Sequence, residues 1–184
     1  KITPNGMEQV NSIASFFTRE PDLIITSPYK RTIETAQPTF IRFPDAPHEE
    51  WPVEEFTYLV PRDTLTTSID RKPMVEAFWQ QDDPFYVDGD KAESFNAFIS
   101  RVQNVIKRLR ETKKDYIAVF SHEQFICAVQ WLFLKDKLEP GTILCSDGKR
   151  QFKDFLTMCR LPNGAILSVQ LQDGNETWIR SIIT

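Results

Sequence analysis

The sequence predicts an α/β fold with three layers, in which a mostly parallel central sheet lies between flanking helices. Two short apolar runs, at residues 23–25 and 116–120, have the length and composition of strands that are buried on both faces. Segments with apolar residues at helical spacing surround these runs, and strands that alternate with helices favour a parallel sheet. Near the end, an Asp-Gly pair lies between the apolar segments 165–171 and 178–183, which predicts a C-terminal β-hairpin.

Four helices are predicted around the sheet from apolar spacing and from residues that are typical of helix starts. Pro4 suits the first turn of a helix that Thr3 caps, and Ser94 suits the cap position before an apolar stripe. The predicted spans are residues 4–17, 29–42, 95–109 and 124–134.

Residues 43–90 differ in composition from the rest of the chain. They are rich in proline and charged residues and show little periodicity, apart from a helical patch at residues 74–79. Irregular chain of this kind belongs on a protein surface. We therefore predict a single domain over residues 1–184, in which residues 43–90 form an inserted cap over the carboxyl ends of the strands.

Composition and charge limit the classes of function. The chain has 184 residues, 41% of them hydrophobic, which is enough for one sizeable core, and no apolar run approaches the ~20 residues of a membrane-spanning helix. Its net charge is −4, with basic residues scattered among acids, so nucleic acid is not an expected partner. The cysteines are widely spaced; they are Cys127, Cys145 and Cys159. This spacing favours reduced thiols in a cytoplasmic protein and gives no sign of a metal or other cofactor.

Two residues near predicted strand ends have the chemistry of a phosphate site. His122 follows the apolar run 116–120 at the start of a helix, where free N–H groups attract anions and an imidazole can donate a further hydrogen bond. Arg31 lies one helical turn after the polar end of the other run, and its planar guanidinium fits two phosphate oxygens. The alternatives are structural: His122 would only end the strand and cap the helix, and Arg31 would be a solvated arginine paired with Glu34.

The adjacent acids Glu54 and Glu55 are candidates for a proton donor. In an extended segment neighbouring side chains point to opposite sides, so one carboxyl can reach the site while the other faces solvent. A carboxyl beside a phosphate can act as general acid if its pKa is raised. The alternative is a pair of surface acids, and His48, in a proline-rich stretch, is also expected at the surface.

Four segments resemble motifs of the histidine phosphatase superfamily, the phosphoglycerate-mutase-like enzymes, and occur in the family's order. The motif Ser-Pro-x-x-Arg-x-x-x-Thr-Ala is similar to SPYKRTIETA, and the strand end Val-Ser-His-Gly-Gly-x-Ile is similar to VFSHEQFI. The segment Leu-Thr-x-x-Gly-x-x-Gln-Ala is similar to ITPNGMEQV, and the helix start Glu-Ser-x-x-x-Phe-x-x-Arg-Val is similar to AESFNAFISRV. The resemblance covers the chain from Ile2 to about Phe133.

The resemblance implies a metal-independent phosphomonoester phosphatase that acts on a small phosphorylated substrate. In the family, a histidine of an Arg-His-Gly motif at the end of the first strand attacks phosphorus and becomes a phosphohistidine, which water then hydrolyses. At the matched positions, Arg31 and His122 would bind the phosphoryl oxygens. Glu55, from its place in the insertion ahead of FTYL, would protonate the leaving oxygen.

Two departures from the family pattern leave alternatives open. The Arg-His-Gly motif is absent from the sequence, and because the chain opens on Lys1 without a methionine, we expect the motif upstream. Without that motif, the protein would be an inactive member that binds phosphorylated ligands; a phosphomutase is a further alternative. Glu123 stands after His122 where the family usually has glycine, and a carboxylate turned inward would repel a dianionic phosphate. Substrate identity and oligomeric state are left open.

Overall fold

The central sheet has three parallel strands in the computed structural model, which describes residues 4–61, 68–138, 146–171 and 177–182. The strands are β1 (Leu23–Thr26), β2 (His48–Glu50) and β3 (Ile117–Phe120), in the order β2-β1-β3. The middle strand, β1, is buried along its whole length, as expected from its apolar run. The parallel sheet confirms the predicted fold class.

The sequence does not predict β2, which lies inside residues 43–90. Its side chains are all exposed, so no apolar run marks it. Backbone pairing holds it to β1, with Ile24 opposite His48 and Thr26 opposite Glu50. A strand that is fixed by backbone hydrogen bonds rather than by burial leaves little trace in composition. The single domain, in which residues 43–90 form an inserted cap, stays a prediction.

The helices lie on both faces of the sheet. Within the described ranges they are α1 (Pro4–Phe16), α2 (Lys30–Arg42), α3 (Ser68–Gln80), α4 (Phe95–Glu111), α5 (Glu123–Leu138) and α6 (Ser146–Met158). The α4 start is as predicted, because the Ser94 side chain accepts a hydrogen bond from the Ala97 N–H at 3.1 Å. Thr3, the predicted cap of α1, lies outside the described residues. No helix in the described part of the chain is long and apolar enough to cross a membrane.

The two faces of the sheet bury different sets of side chains. On one face, Ile24 and Ala118 pack with apolar residues of α1 and α2. On the other face, Leu23 and Ile25 belong to a larger, aromatic-rich cluster with residues of α4, α5 and α6. Helices on both faces of the sheet give the three layers that the sequence predicts.

Residues 51–53 cross the carboxyl ends of β1 and β3. The Trp51 N–H donates to the Thr26 carbonyl at 3.0 Å, and the Ser121 hydroxyl donates to the Val53 carbonyl at 2.7 Å. Trp51 and Val53 are also buried in the aromatic-rich cluster. This anchoring holds the residues that follow, Glu54 among them, beside the strand ends where parallel sheets bind ligands.

The C-terminal strands β4 (Ile166–Leu171) and β5 (Thr177–Ile182) form the predicted hairpin. They pair antiparallel, with Ile166 opposite Ile182 and Leu171 opposite Thr177. Together they make a two-stranded sheet that is separate from the central one. The predicted Asp-Gly turn between them lies outside the described residues.

Candidate active site

His122 lies between the end of β3 and the first turn of α5. Its backbone carbonyl accepts the Ile126 N–H at 3.0 Å, as the residue before a helix commonly does. Its side chain is buried, with only 6% of the residue's surface exposed. The ring turns toward the end of β1, and both of its nitrogens have partners there. The imidazole therefore has a place in the interior beyond ending the strand.

Arg31, in the first turn of α2, reaches the same point. Its Nε and Nη2 atoms lie 3.0 Å and 2.8 Å from His122 Nδ1. The guanidinium carbon lies 4.6 Å from the centre of the Tyr29 ring, a cation–π contact that steadies it. Glu34, the alternative partner, pairs instead with Lys30 at 3.8 Å. The structure thus brings Arg31 and His122 together at the carboxyl ends of β1 and β3.

Ser27 and Thr32 occupy the far side of the His122 ring. Ser27 Oγ lies 2.8 Å from His122 Nε2 and 2.7 Å from Thr32 Oγ1. Both side chains are buried. The sequence marks a polar end for this strand but does not assign a role to either hydroxyl. The contact between Ser27 and His122 joins residues that are 95 positions apart in the chain, which spacing within one motif does not reveal.

The Glu55 side chain reaches the N-terminus of α5, the helix that begins just after His122. Its Oε1 accepts the Gln124 N–H at 3.0 Å. Burial raises the pKa of the Glu55 carboxyl above its usual value, while the N–H groups of Gln124 and Phe56 and the charge of Arg31 partly offset that rise. A carboxyl with a raised pKa that is still near a cation has the properties of a general acid.

Arg101, in α4, is a further residue of this region, and its motif alone does not assign it a role. Its side chain is only 18% exposed and makes paired hydrogen bonds to Glu93, at 2.9 Å and 2.8 Å. It also donates to the carbonyls of Pro52 and Glu54 at 3.0 Å and 3.1 Å, and lies 3.4 Å from the Glu54 carboxylate. Glu54 therefore points to α4 while Glu55 points to α5. The segment AESFNAFISRV, which contains both Glu93 and Arg101, was the sequence signal that could have revealed this pair.

Two arginines act on the imidazole of His122, which is neutral. Burial lowers the pKa of His122 to about 4, and the charges of Arg31 and Arg101 act in the same direction. The free N–H groups of the α5 N-terminus add partial positive charge. An anion beside Arg31 would reverse the effect of the two arginines on His122. In the described part of the chain, no group of three or more His, Cys, Asp and Glu side chains could hold a metal ion.

Comparison with protein families decides the relationship that these residues suggest. The model of the histidine phosphatase superfamily (branch 1) matches residues 1–147. The chain belongs to the histidine phosphatase superfamily. Among curated proteins, none matches this chain.

Several solved structures share the fold of this superfamily member. The α-ribazole phosphatase from Shigella flexneri has a TM-score of 0.71 at 18% identity, with 100% of this chain and 84% of that chain covered. A mycobacterial glucosyl-3-phosphoglycerate phosphatase has a TM-score of 0.65 at 17% identity, with 100% and 86% covered. A phosphoserine phosphatase mutant from Entamoeba histolytica, in complex with phosphoserine, has a TM-score of 0.59 at 19% identity, with 96% and 81% covered. At these identities the likeness shows the fold alone.

Glu123 replaces the glycine that is usual in the superfamily at this position. The residue is exposed, and its Oε1 accepts the Leu161 N–H at 3.3 Å. The carboxylate thus points to the chain ahead of β4 and not to the contact between Arg31 and His122. Its charge still contributes, as the weakest cause, to the raised pKa of Glu55.

His48 lies apart from the cluster of Arg31 and His122. It is exposed on β2, as predicted, with its Nε2 atom 2.9 Å from Thr26 Oγ1. Its ring packs against Phe40, at 4.7 Å between centres. These contacts explain His48 as part of the sheet edge.

Proposed function

We propose that the protein is a phosphomonoester phosphatase that works through a phosphohistidine. The observation that carries this proposal is the meeting of Arg31, His122 and Glu55 at the carboxyl ends of two neighbouring parallel strands. Arg31 and His122 would bind the phosphoryl oxygens, and a histidine in the segment that precedes Lys1 would attack phosphorus. Membership of the superfamily supports this division of roles.

Charge stabilisation is the main contribution of the described residues. The Arg31 guanidinium and the N-terminus of α5 face the point where negative charge increases as the phosphoryl group is transferred. The Tyr29 ring steadies the Arg31 guanidinium, so the main rearrangement when the anion arrives is the loss of its contact with His122. His122, neutral without ligand, becomes a donor once a nearby anion offsets the two arginines.

Glu55 would supply the proton that the leaving oxygen needs. An alkoxide is a poor leaving group, so a carboxylic acid on the leaving side accelerates the reaction. Burial keeps Glu55 protonated to a higher pH than an exposed carboxyl. After the alcohol leaves, the same carboxylate can take a proton from the attacking water, which regenerates the acid.

The proposed substrate is a small phosphorylated alcohol, and the proposed location is the cytoplasm. The free thiols of Cys127 and Cys159 support that location. The second candidate function is binding of phosphorylated ligands without turnover. It rests on the sequence itself, because His122 and His48 are its only histidines and both have structural partners. A phosphomutase remains a variant of the same chemistry.

The test is hydrolysis of an aryl phosphate by the full-length protein, together with any residues that precede Lys1. We expect turnover without added metal, and the same turnover after treatment with a chelator. Quenching in an alkaline denaturant during turnover should trap a phosphoenzyme that is stable to base and labile to acid. Activity that disappears with the chelator would contradict the mechanism, and phosphate binding without turnover would favour the second candidate.

A further inference from the structure

We propose that Ser27 and Thr32 form a relay of hydrogen bonds that fixes the protonation of His122, so that binding of an oxyanion takes up one proton at His122 Nδ1. The proposal rests on the phosphate site described above and assigns a role to two side chains that do not touch the anion. Ser27 and Thr32 are positioning residues in this account, since they act through His122.

The first step concerns the two nitrogens of the imidazole ring. Arginine has donors and no acceptor, so His122 Nδ1, at 3.0 Å from Arg31 Nε, must accept. A neutral imidazole that accepts at one nitrogen carries its proton on the other. The proton therefore lies on Nε2, which donates to Ser27 Oγ at 2.8 Å.

The second step follows the hydroxyl hydrogens away from the ring. Ser27 Oγ accepts from His122, so its own hydrogen is directed to Thr32 Oγ1 at 2.7 Å. Thr32 in turn donates to the Tyr29 carbonyl at 2.6 Å, with the Ser27 carbonyl a more distant acceptor at 3.1 Å. The relay thus ends on a carbonyl, which can only accept. Because Ser27 and Thr32 are buried, water cannot easily replace either hydroxyl.

The third step is the change that an anion causes. A dianion that binds the Arg31 guanidinium takes the place of His122 Nδ1 as its acceptor, which leaves the Nδ1 lone pair without a partner. A proton from solvent binds at Nδ1, and the new N–H donates to the anion while Nε2–H still donates to Ser27. No other bond forms or breaks, so the net change is one anion and one proton bound.

The charges around His122 decide the pH range of this uptake. Arg31 and Arg101 oppose a proton on the ring, and with burial they keep His122 neutral at pH 7 without ligand. The carboxyls of this region are Glu54 and Glu55 on the cap segment, Glu93 just before α4 and Glu123 on α5, and the Tyr29 ring lies 5.2 Å from the imidazole. An added dianion outweighs both arginines locally and favours the imidazolium. Affinity for a permanent dianion should therefore fall as pH rises above the ligand-free pKa of His122, about 4, until the higher pKa of the bound state is passed.

The test uses inorganic sulfate, which stays a dianion from pH 5 to 8, and long-range proton–nitrogen NMR of the imidazole rings. His48→Gln and His122→Gln variants assign the signals of these two rings among those of the full-length protein. We expect His122 to carry its proton on Nε2 without sulfate and to be doubly protonated with it. The sulfate affinity should fall by up to about tenfold per pH unit, and a Glu55→Gln variant should keep this dependence.

Thr32→Val tests the relay without touching the ring or the anion. Without Thr32 as its acceptor, the Ser27 hydroxyl can donate to Nε2. That hydrogen bond requires an Nε2 without a proton and so disfavours the doubly protonated ring, and sulfate affinity should fall roughly tenfold. Thr32→Ser should restore it. Thr39→Val is the matched control, because Thr39 is a buried threonine of the same helix whose hydroxyl has no hydrogen-bond partner among the described residues.

Each outcome decides the matter. A proton on Nδ1 without sulfate, an affinity that ignores pH, or a Thr32→Val protein that matches Thr39→Val would overturn the relay. Turnover of an aryl phosphate by the same samples separates a failure of the relay from a failure of the proposed phosphatase function. Sulfate binding and turnover without the pH dependence overturn the relay alone, whereas a protein with neither binding nor turnover overturns the proposed function as well.

Discussion

Replacing Arg31 with alanine should lower kcat/KM for phosphomonoesters roughly a thousandfold. The guanidinium is the charged donor that meets His122 in the site, and its fork can hold two phosphoryl oxygens of the transition state. Arg31→Lys should recover only part of the loss, because an ammonium keeps the charge but not the fork. Steady-state kinetics with an aryl and an alkyl phosphate would measure both variants.

Lys30→Ala is the matched control for Arg31. Lys30 is the neighbouring cation on the same helix turn, but its side chain is 85% exposed and pairs with Glu34 away from His122. We expect its kcat/KM to stay within about twofold of the wild-type value, since exposed ion pairs contribute little. If Arg31→Ala behaved like Lys30→Ala, the guanidinium would have no part in catalysis.

Replacing Glu55 with glutamine should lower turnover of alkyl phosphates by roughly a hundredfold or more, with substrate affinity little changed. The glutamine keeps the size and the hydrogen bond to Gln124 but cannot give a proton. Aryl phosphates with good leaving groups should lose much less, since they need little protonation. In the wild type kcat should fall as pH rises through the raised pKa of Glu55, because only the protonated carboxyl is an acid. That limb of the pH profile should be absent from the variant.

Glu54→Gln is the control for Glu55. Glu54 lies next to it in the chain, yet its carboxylate faces Arg101 at 3.4 Å, so its replacement should change turnover only slightly. The comparison of alkyl-phosphate kinetics is decisive because the two variants differ only in the direction of the side chain. Equal, small effects would remove Glu55 from the mechanism and turn attention to other carboxyls such as Glu123.

The parts of the fold that the sequence predicts are those that burial determines. β1 and β3 follow from continuous apolar runs, and α4 follows from its apolar stripe and its Ser94 cap. β2 has exposed side chains only and depends on its pairing with β1. α6 is missed for a related reason, because its apolar residues are few and Lys149 takes a core position where it donates to the Gln81 carbonyl at 2.9 Å. Such partners exist only in the folded chain.

The candidate site divides in the same way. Arg31 and His122 could be proposed because both follow strand ends, and parallel strands bring their carboxyl ends to one edge. Alternation in an extended segment predicts that Glu54 and Glu55 diverge, but only the position of α5 shows which one reaches the site. The sequence cannot assign the hydrogen-bond partner of the Ser27 hydroxyl, since that partner, His122, is 95 residues away.

The central claim is that an oxyanion binds between Arg31 and His122, and a crystal structure of the full-length protein with inorganic phosphate tests it most directly. We expect phosphate oxygens within hydrogen-bonding distance of the Arg31 guanidinium and of His122 Nδ1, with the contact between those two side chains opened. Elsewhere in the described part of the chain, a cleft of about 310 Å³ is lined by Lys149, Arg150 and Lys153 together with Asp82 and Asp154. Phosphate in that cleft, with Arg31 still hydrogen-bonded to His122, would contradict the account.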